Sequence, residues 1–298
     1  WLAHQHGGLG GGGSNPLAPI LIMIWFYRTI AFLSHLIPYR IAVFITERIA
    51  DGAYFTFYRK ARYIVFENLD RYNSKLKIWQ KKELTLKIFR NFAVFIYEFT
   101  LLPQPAGKRL FDNLTIENRE RLDNALKEGN GAIVLTAHLG NWELGAAALN
   151  TCGYPPVVVA LPHQSRKITE FFTRRRNACG MDVVYLGKGM KKVVTALKQN
   201  RVIATLGDRD YLHHGILCPF MGGKIFLPIG IFELASRTAS PIIPAFCVKE
   251  KGAYRINFEL PIRVNNVEDS VKEWSKILEC YVRTYITQWF VFDPVFVH

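Results

Sequence analysis

The chain has 298 residues, half of them hydrophobic, and a formal net charge of +14 at pH 7. That length fills one large α/β domain or two small ones, and basic charge on an apolar chain favours an anionic membrane surface over nucleic acid as partner. Its five cysteines (Cys152, Cys179, Cys218, Cys247 and Cys280) are scattered without a CxxC pair, which argues against a structural zinc site or disulfide framework and suits a reducing cytosolic side.

Residues 1–16 are glycine-rich and begin with Trp1; they are expected to lie outside the fold as a linker or tag-like segment. Residues 17–37 form the one candidate membrane segment, with Arg28 as its only formal charge. Its Leu, Ile and Phe residues contribute about −3 to −6 kcal/mol to insertion against about +3 kcal/mol for one central Arg, so a tilted spanning anchor and an interfacial helix both fit. No small-residue cleavage site follows, which argues against a signal peptide, and residues 39–58 stay amphipathic. The remainder, 38–298, is expected to be a single α/β domain.

The stretch 59–69 reads as a basic helix with Arg59, Lys60 and Arg62, ending in Asn68-Leu69; a solvated face beside a membrane is the plain account of it. Residues 75–100 continue as helix, with Phe89, Phe92, Phe95, Tyr97 and Phe99 recurring on one side. Core or membrane-facing packing is the default for such a stripe, and an acyl-chain groove the sharper alternative. A further helix is expected over 115–127, closed by Gly129.

From there the pattern alternates. Strands are expected at 132–136, 157–161, 182–185, 202–206, 241–246 and 254–259, and helices at 141–151, 167–179, 190–199 and 229–237, before a long last helix over 268–290. Strands separated by helices of this length are βαβ units, so the fold class is α/β with a mostly parallel central sheet flanked by helices.

The run Ala132-Ile133-Val134-Leu135-Thr136 is a buried strand that ends in a polar turn, and Asn141 is a good N-cap for the helix that follows. His138 therefore sits at the carboxyl end of a strand, where open α/β sheets bind ligands, and Glu143 in the first turn of the next helix. A tight turn can return the Glu143 carboxylate to one imidazole nitrogen and leave the other to face a substrate: a base with its orienter, and no protein nucleophile. The plain alternative for the same pair is capping and solvation.

Three other constellations carry polar groups. Arg174, Arg175 and Arg176 fan around one helix, so at least one is a surface charge; guanidinium forks at Arg174 or Arg176 would suit phosphate or carboxylate. Asp208 and Asp210 follow the 202–206 strand, where paired carboxylates could hold a metal, but no complementary His/Cys set accompanies them; turn formation and pairing with an Arg is the structural alternative. Pro219 to Gly230 is read as a glycine-containing loop before a helix.

The stretch HLGNWE, within IVLTAHLGNWELGA, resembles the HxxxxD/E signature of the late acyltransferases of lipid A biosynthesis, to which mycobacterial phosphatidylinositol mannoside acyltransferases are related. Residues 59–69 resemble that family's RxxxxxNL segment, Arg174 and Arg176 its RxR, and Asp208 and Asp210 its DxD-like position near the catalytic His and the acceptor. Pro219-Phe220-Met221-Gly222 is similar to its PFFG segment and Gln288-Trp289 to its ending, whereas Asp293-Pro294 departs from the commoner basic residues there. The resemblance implies a glycerolipid acyltransferase-like fold, His138 and Glu143 as catalytic residues, and Arg174, Arg176, Asp208 and Asp210 as substrate-binding ones. It further implies a thioester co-substrate (acyl-ACP or acyl-CoA), no metal or other cofactor, and an anionic glycolipid acceptor. The implied location is the bacterial inner membrane with the catalytic domain on the cytoplasmic side.

No GxSxG elbow, GxxxxGK[ST] loop or complete GxGxxG occurs, so a serine hydrolase, a P-loop NTPase and a dinucleotide oxidoreductase lose their usual signals. The expected function is acyl transfer to a lipid A precursor by His general-base catalysis. The alternatives are a phosphatidylinositol mannoside-type acceptor with acyl-CoA, and a non-catalytic peripheral lipid-binding protein in which His138 is structural.

Overall fold

A computed structural model describes residues 37–163, 165–187 and 189–297. Three helices come first: α1 (Tyr39–Thr56), α2 (Arg59–Tyr72) and α3 (Ile78–Leu101). A short α4 (Lys108–Asp112) leads to β1 (Leu114–Glu117), α5 (Glu120–Leu126), β2 (Ala132–Thr136), α6 (Trp142–Thr151) and β3 (Val157–Ala160). Then follow α7 (Arg166–Ala178), β4 (Asp182–Tyr185), α8 (Met190–Lys198), β5 (Val202–Leu206), the pair β6 (Ile216–Phe220) and β7 (Gly223–Leu227), and α9 (Gly230–Thr238). Strands β8 (Ile242–Glu250) and β9 (Ala253–Phe258) precede the last long helix, α10 (Val267–Thr284).

Seven strands form one sheet in the order β1-β9-β8-β2-β5-β3-β4. β8, β2, β5, β3 and β4 are mutually parallel; β9 runs antiparallel to β8, and β1 parallel to β9. The mostly parallel sheet read from the βαβ pattern is therefore present. Successive side chains of β2 point to opposite faces, as the strand's twofold period requires. Ile133 and Leu135 join a core with Val193 and Leu197 of α8, Phe232 of α9 and Trp274 of α10. Ala132 and Val134 join the opposite core with Leu144 and Ala148 of α6. Helices thus cover both faces, which is why β2 is apolar from Ala132 to Leu135.

Three expectations need correction. The helix expected over 115–127 is split: Leu114–Glu117 is a strand paired with β9, Asn118 takes a left-handed φ of 56°, and helix begins only at Glu120. A free edge on β9 gave the β-branched Thr115-Ile116 a ladder to join, and tertiary pairing overrode the cap-like Thr115. The segment read as a loop after Pro219 is instead the second strand of a hairpin; Met221 and Gly222, both at positive φ, make the two-residue turn that matches strand twist. The last helix stops at Thr284, and Ile286–Gln288 forms a 3-10 turn after which the chain extends back to the sheet.

Helix α1 is inverted relative to an ordinary surface helix. Ala42, Thr46, Ala50 and Tyr54 are buried, while Ile41, Phe44, Ile45, Ile49 and Phe55 are exposed. Small side chains let α1 seat closely on α3, where the Tyr39 and Tyr97 rings stack at 6.2 Å and Arg90 Nε donates to Asp51 at 2.6 Å. None of the described helices is long and apolar enough to cross a membrane. The anchor expected over 17–37 lies outside the described residues except for Ile37, as does the linker expected over 1–16.

Trp274 ties α10 to the sheet. It is fully buried, parallel to the Phe246 ring at 5.7 Å, and its Nε1 donates to the Gly207 carbonyl at 2.9 Å. Trp274→Phe keeps an aromatic ring but strands that carbonyl. The expected cost is about 1–3 kcal/mol from the unsatisfied acceptor, read as a lower urea midpoint with an unchanged denaturant slope.

Candidate active site

The register of two neighbouring strands builds the site. β2 and β5 pair in parallel with Thr136 opposite Leu206. Two residues beyond each of these positions lie His138 and Asp208, so the two loops leave the same sheet edge side by side. Asp208 Oδ1 is 2.8 Å from His138 Nδ1, and Oδ2 accepts from the His138 backbone N–H at 3.1 Å. Trp289 Nε1 also donates to Oδ2, at 3.3 Å. Both side chains are almost wholly withdrawn from solvent (5% and 0% exposed), so the contact is little screened. Burial opposes ionisation of Asp208, but the His138 ring, its hydrogen bonds and the nearby Arg209 outweigh burial and hold the carboxyl below its usual range.

Glu143 does not hold this place. Arg176 grips its carboxylate in a fork, Nη2 to Oε1 at 2.6 Å and Nε to Oε2 at 3.0 Å, with both groups largely buried. The expectation that Glu143 is the carboxylate on the imidazole is therefore corrected: Nδ1 is engaged by Asp208. Glu143 starts α6 and faces α7, whose guanidinium offers a planar bidentate match that the turn back to residue 138 does not. The Arg176 guanidinium suffers from burial, but Glu143 more than compensates and raises its pKa above the ordinary value.

The other expected residues separate. Arg174 is exposed and paired with Glu170 at 3.3 Å, and Arg175 donates to the Thr100 carbonyl at 2.8 Å. Asp210 accepts from the backbone N–H groups of Leu212 at 3.2 Å and Gly215 at 2.6 Å, forming a turn rather than a paired carboxylate site with Asp208. Among the described residues, no group of three or more His, Cys, Asp or Glu side chains is placed to hold a metal ion.

His138, Glu143 and Arg176 line one cavity, whose remaining wall is mostly apolar and aromatic, including Phe92, Phe95, Trp142 and Phe290. The aromatic stripe of α3 is thus divided. Phe92 and Phe95 wall the cavity, while Phe89 and Tyr97 pack against neighbouring rings. The loop after Gln288 closes the site from the C-terminal side: Phe290 N–H donates to the His138 carbonyl at 2.7 Å, and Gly140 N–H to the Gln288 carbonyl at 2.9 Å. Gly140 sits at φ +66°, and a Cβ there would lie 2.0 Å from the Cys247 carbonyl oxygen, so only glycine fits. The roles of Asp208 on the ring and of Trp289 on the Asp208 carboxylate are not assigned by the sequence; equal offsets of His138 and Asp208 from two strand ends are the usable signal for the first.

The Glu143–Arg176 fork makes a stability prediction. Removing one partner leaves a buried charge uncompensated, so Glu143→Leu and Arg176→Met should each cost about 3–5 kcal/mol. The double variant should be much less destabilised than the sum, as thermal or urea unfolding of all four proteins would reveal. Additive losses would show that the two side chains act separately.

The sequence matches the family model described as bacterial lipid A biosynthesis acyltransferase over residues 13–297. It is 25% identical to a phosphatidylinositol mannoside acyltransferase of Mycolicibacterium smegmatis over 210 residues, covering 68% of this chain and 69% of that protein. A phosphatidylinositol mannoside acyltransferase of Mycobacterium tuberculosis is 27% identical over 132 residues, covering 43% of this chain and 42% of that protein. With nearly all of its length matched by the family model, this chain belongs to the bacterial lipid A biosynthesis acyltransferase family.

Proposed function

We propose that this protein is a membrane-associated O-acyltransferase. It moves a fatty acyl group from a thioester donor, acyl-ACP or acyl-CoA, to a hydroxyl of an anionic glycolipid, with a lipid A precursor as acceptor. The observation that carries the reading is the His138–Asp208 pair on the wall of an apolar cavity. With Nδ1–H donated to Asp208, the imidazole is fixed in the tautomer whose Nε2 is the basic nitrogen. The acceptor hydroxyl gives its proton to Nε2 as its oxygen attacks the thioester carbonyl carbon. Collapse of the tetrahedral intermediate breaks the C–S bond, and the imidazolium returns the proton to the leaving thiolate. No enzyme nucleophile is needed. Asp208 stabilises the transient imidazolium, while Glu143 acts through Arg176 as a positioning residue at the polar edge of the cavity, and aromatic walls suit an acyl chain.

A mannoside acceptor is the second reading, favoured by the names of the two mycobacterial relatives. Purified enzyme assayed with acyl-ACP and acyl-CoA against lipid IVA-type and phosphatidylinositol mannoside acceptors decides between them. In the productive assay, His138→Ala should lose roughly 10²–10⁴-fold in kcat. Asp208→Asn should be severely impaired, and the His138→Ala/Asp208→Asn pair hardly worse than His138→Ala, because residues acting as one unit are strongly non-additive. Full activity in His138→Ala would sink the mechanism.

Attachment to the inner membrane, with the catalytic domain on its cytoplasmic side, is part of the same proposal. It is supported by the net charge of +14 and by the exposed Phe44, Phe55, Phe57, Ile78 and Trp79 among basic residues. Apolar insertion survives salt whereas electrostatic attachment is screened. The protein should therefore stay with membranes through a high-salt wash and come off with detergent; quantitative release by salt would leave electrostatics as the sole attachment.

A further inference from the structure

The acyl-transfer scheme leaves one buried carboxylate without a task. Glu98, near the end of α3, has no exposed surface, and withdrawing a carboxylate from water is costly unless its acceptor sites are filled. Here four donors converge on it. Oε1 accepts from Tyr39 Oη and from Lys249 Nζ at 3.0 Å; Oε2 accepts from Asn141 Nδ2 at 3.0 Å and from Tyr254 Oη at 2.5 Å. Burial, reinforced by Glu98 itself, pushes both phenols above their ordinary pKa, so they remain protonated donors.

Asn141 is the link that matters. It is fully buried and lies between His138 and Glu143. Its Oδ1 caps α6 by accepting from Leu144 N–H at 2.9 Å, and its backbone N–H donates to the Cys247 carbonyl at 2.7 Å. An amide whose oxygen is committed to the helix can only offer its nitrogen, and Glu98 is the acceptor placed to take it. The carboxylate thereby fixes the rotation of the capping side chain and, through it, the turn that carries the two motif residues.

We propose that Glu98 is a positioning residue for acyl transfer: through Asn141 it holds the 138–143 turn so that His138 meets Asp208 and Glu143 meets Arg176. The inference rests on the reading of His138 as the general base. Glu98 touches no reacting atom in this scheme; its effect is geometric. Misplacement by about 1 Å from a remote change can cost about 10²-fold in rate.

The test compares Glu98→Met, Glu98→Gln, Asn141→Ser and the Glu98→Met/Asn141→Ser double variant in full-length enzyme, with His138→Ala as reference. Serine still caps a helix but offers Glu98 no amide donor, so Asn141→Ser cuts the link while leaving the carboxylate in place. Glu98→Met and Asn141→Ser are each expected to lose about 10²-fold in kcat with KM for donor and acceptor unchanged. The double variant should be no worse than the more impaired single, since both remove one interaction. Glu98→Gln, which keeps an acceptor oxygen for Asn141, should recover most of the rate. If Glu98→Met does not fold, Asn141→Ser and Glu98→Gln decide the matter between them. Wild-type kcat in Asn141→Ser beside an inactive His138→Ala overturns the positioning role alone, as do additive losses or a loss confined to KM. Activity retained in His138→Ala overturns the general-base reading instead.

Discussion

The site depends first on the parallel register of β2 with β5. With Thr136 opposite Leu206, the residues two positions past each strand end meet at one edge of the sheet, and the pair they form needs no further searching by either loop. A slip of one residue would turn every side chain of β2 to the wrong face and separate His138 from Asp208 together. The two apolar cores that clamp β2 from opposite sides therefore set the geometry of the polar pair as well as the stability of the fold. The C-terminal segment belongs to the same construction. Trp274 holds the Gly207 carbonyl one residue before Asp208, and Trp289 approaches the carboxylate itself.

Three buried carboxylates lie around the 138–143 turn, and each has its own donors: Asp208 the imidazole, a backbone N–H and an indole N–H, Glu143 a guanidinium fork, Glu98 two phenols, an ammonium and an amide. Because each set is distinct and local, no carboxylate can be exchanged for another by a small rotation. Buried ionic groups of this kind add little net stability over apolar replacements, but an incomplete set is strongly unfavourable. The arrangement thus discriminates against neighbouring conformations of the turn more than it raises the overall stability.

Much of this was legible in the sequence. Alternating apolar runs and helical patterns gave the parallel sheet, and the Asn141 cap was readable because Asx side chains before an apolar helix have a specific job. His138 was readable from its place after a strand. Nearness in sequence favours Glu143 as its carboxylate partner, whereas strand pairing places Asp208, seventy residues away, against the ring. The same long-range cause explains β1: Thr115-Ile116 carried a helix-start signal, and only the open edge of β9 made it a strand. Glu98 is hidden inside an aromatic stripe whose period describes the helix but not the carboxylate that faces inward. The hairpin at 216–227 is not legible because Gly222-Gly223 reads as loop unless the positive φ of Met221 is known.

Helix α1 separates two properties that most helices combine. Its seat on α3 is made by Ala42, Thr46 and Ala50, whereas Ile41, Phe44, Ile45 and Phe55 point away from the body of the protein. Substitutions on the outer side therefore change how the surface meets its surroundings with little penalty to folding, and substitutions on the inner side do the reverse. The outer face of such a helix can change its chemistry without disturbing the packed body of the protein behind it.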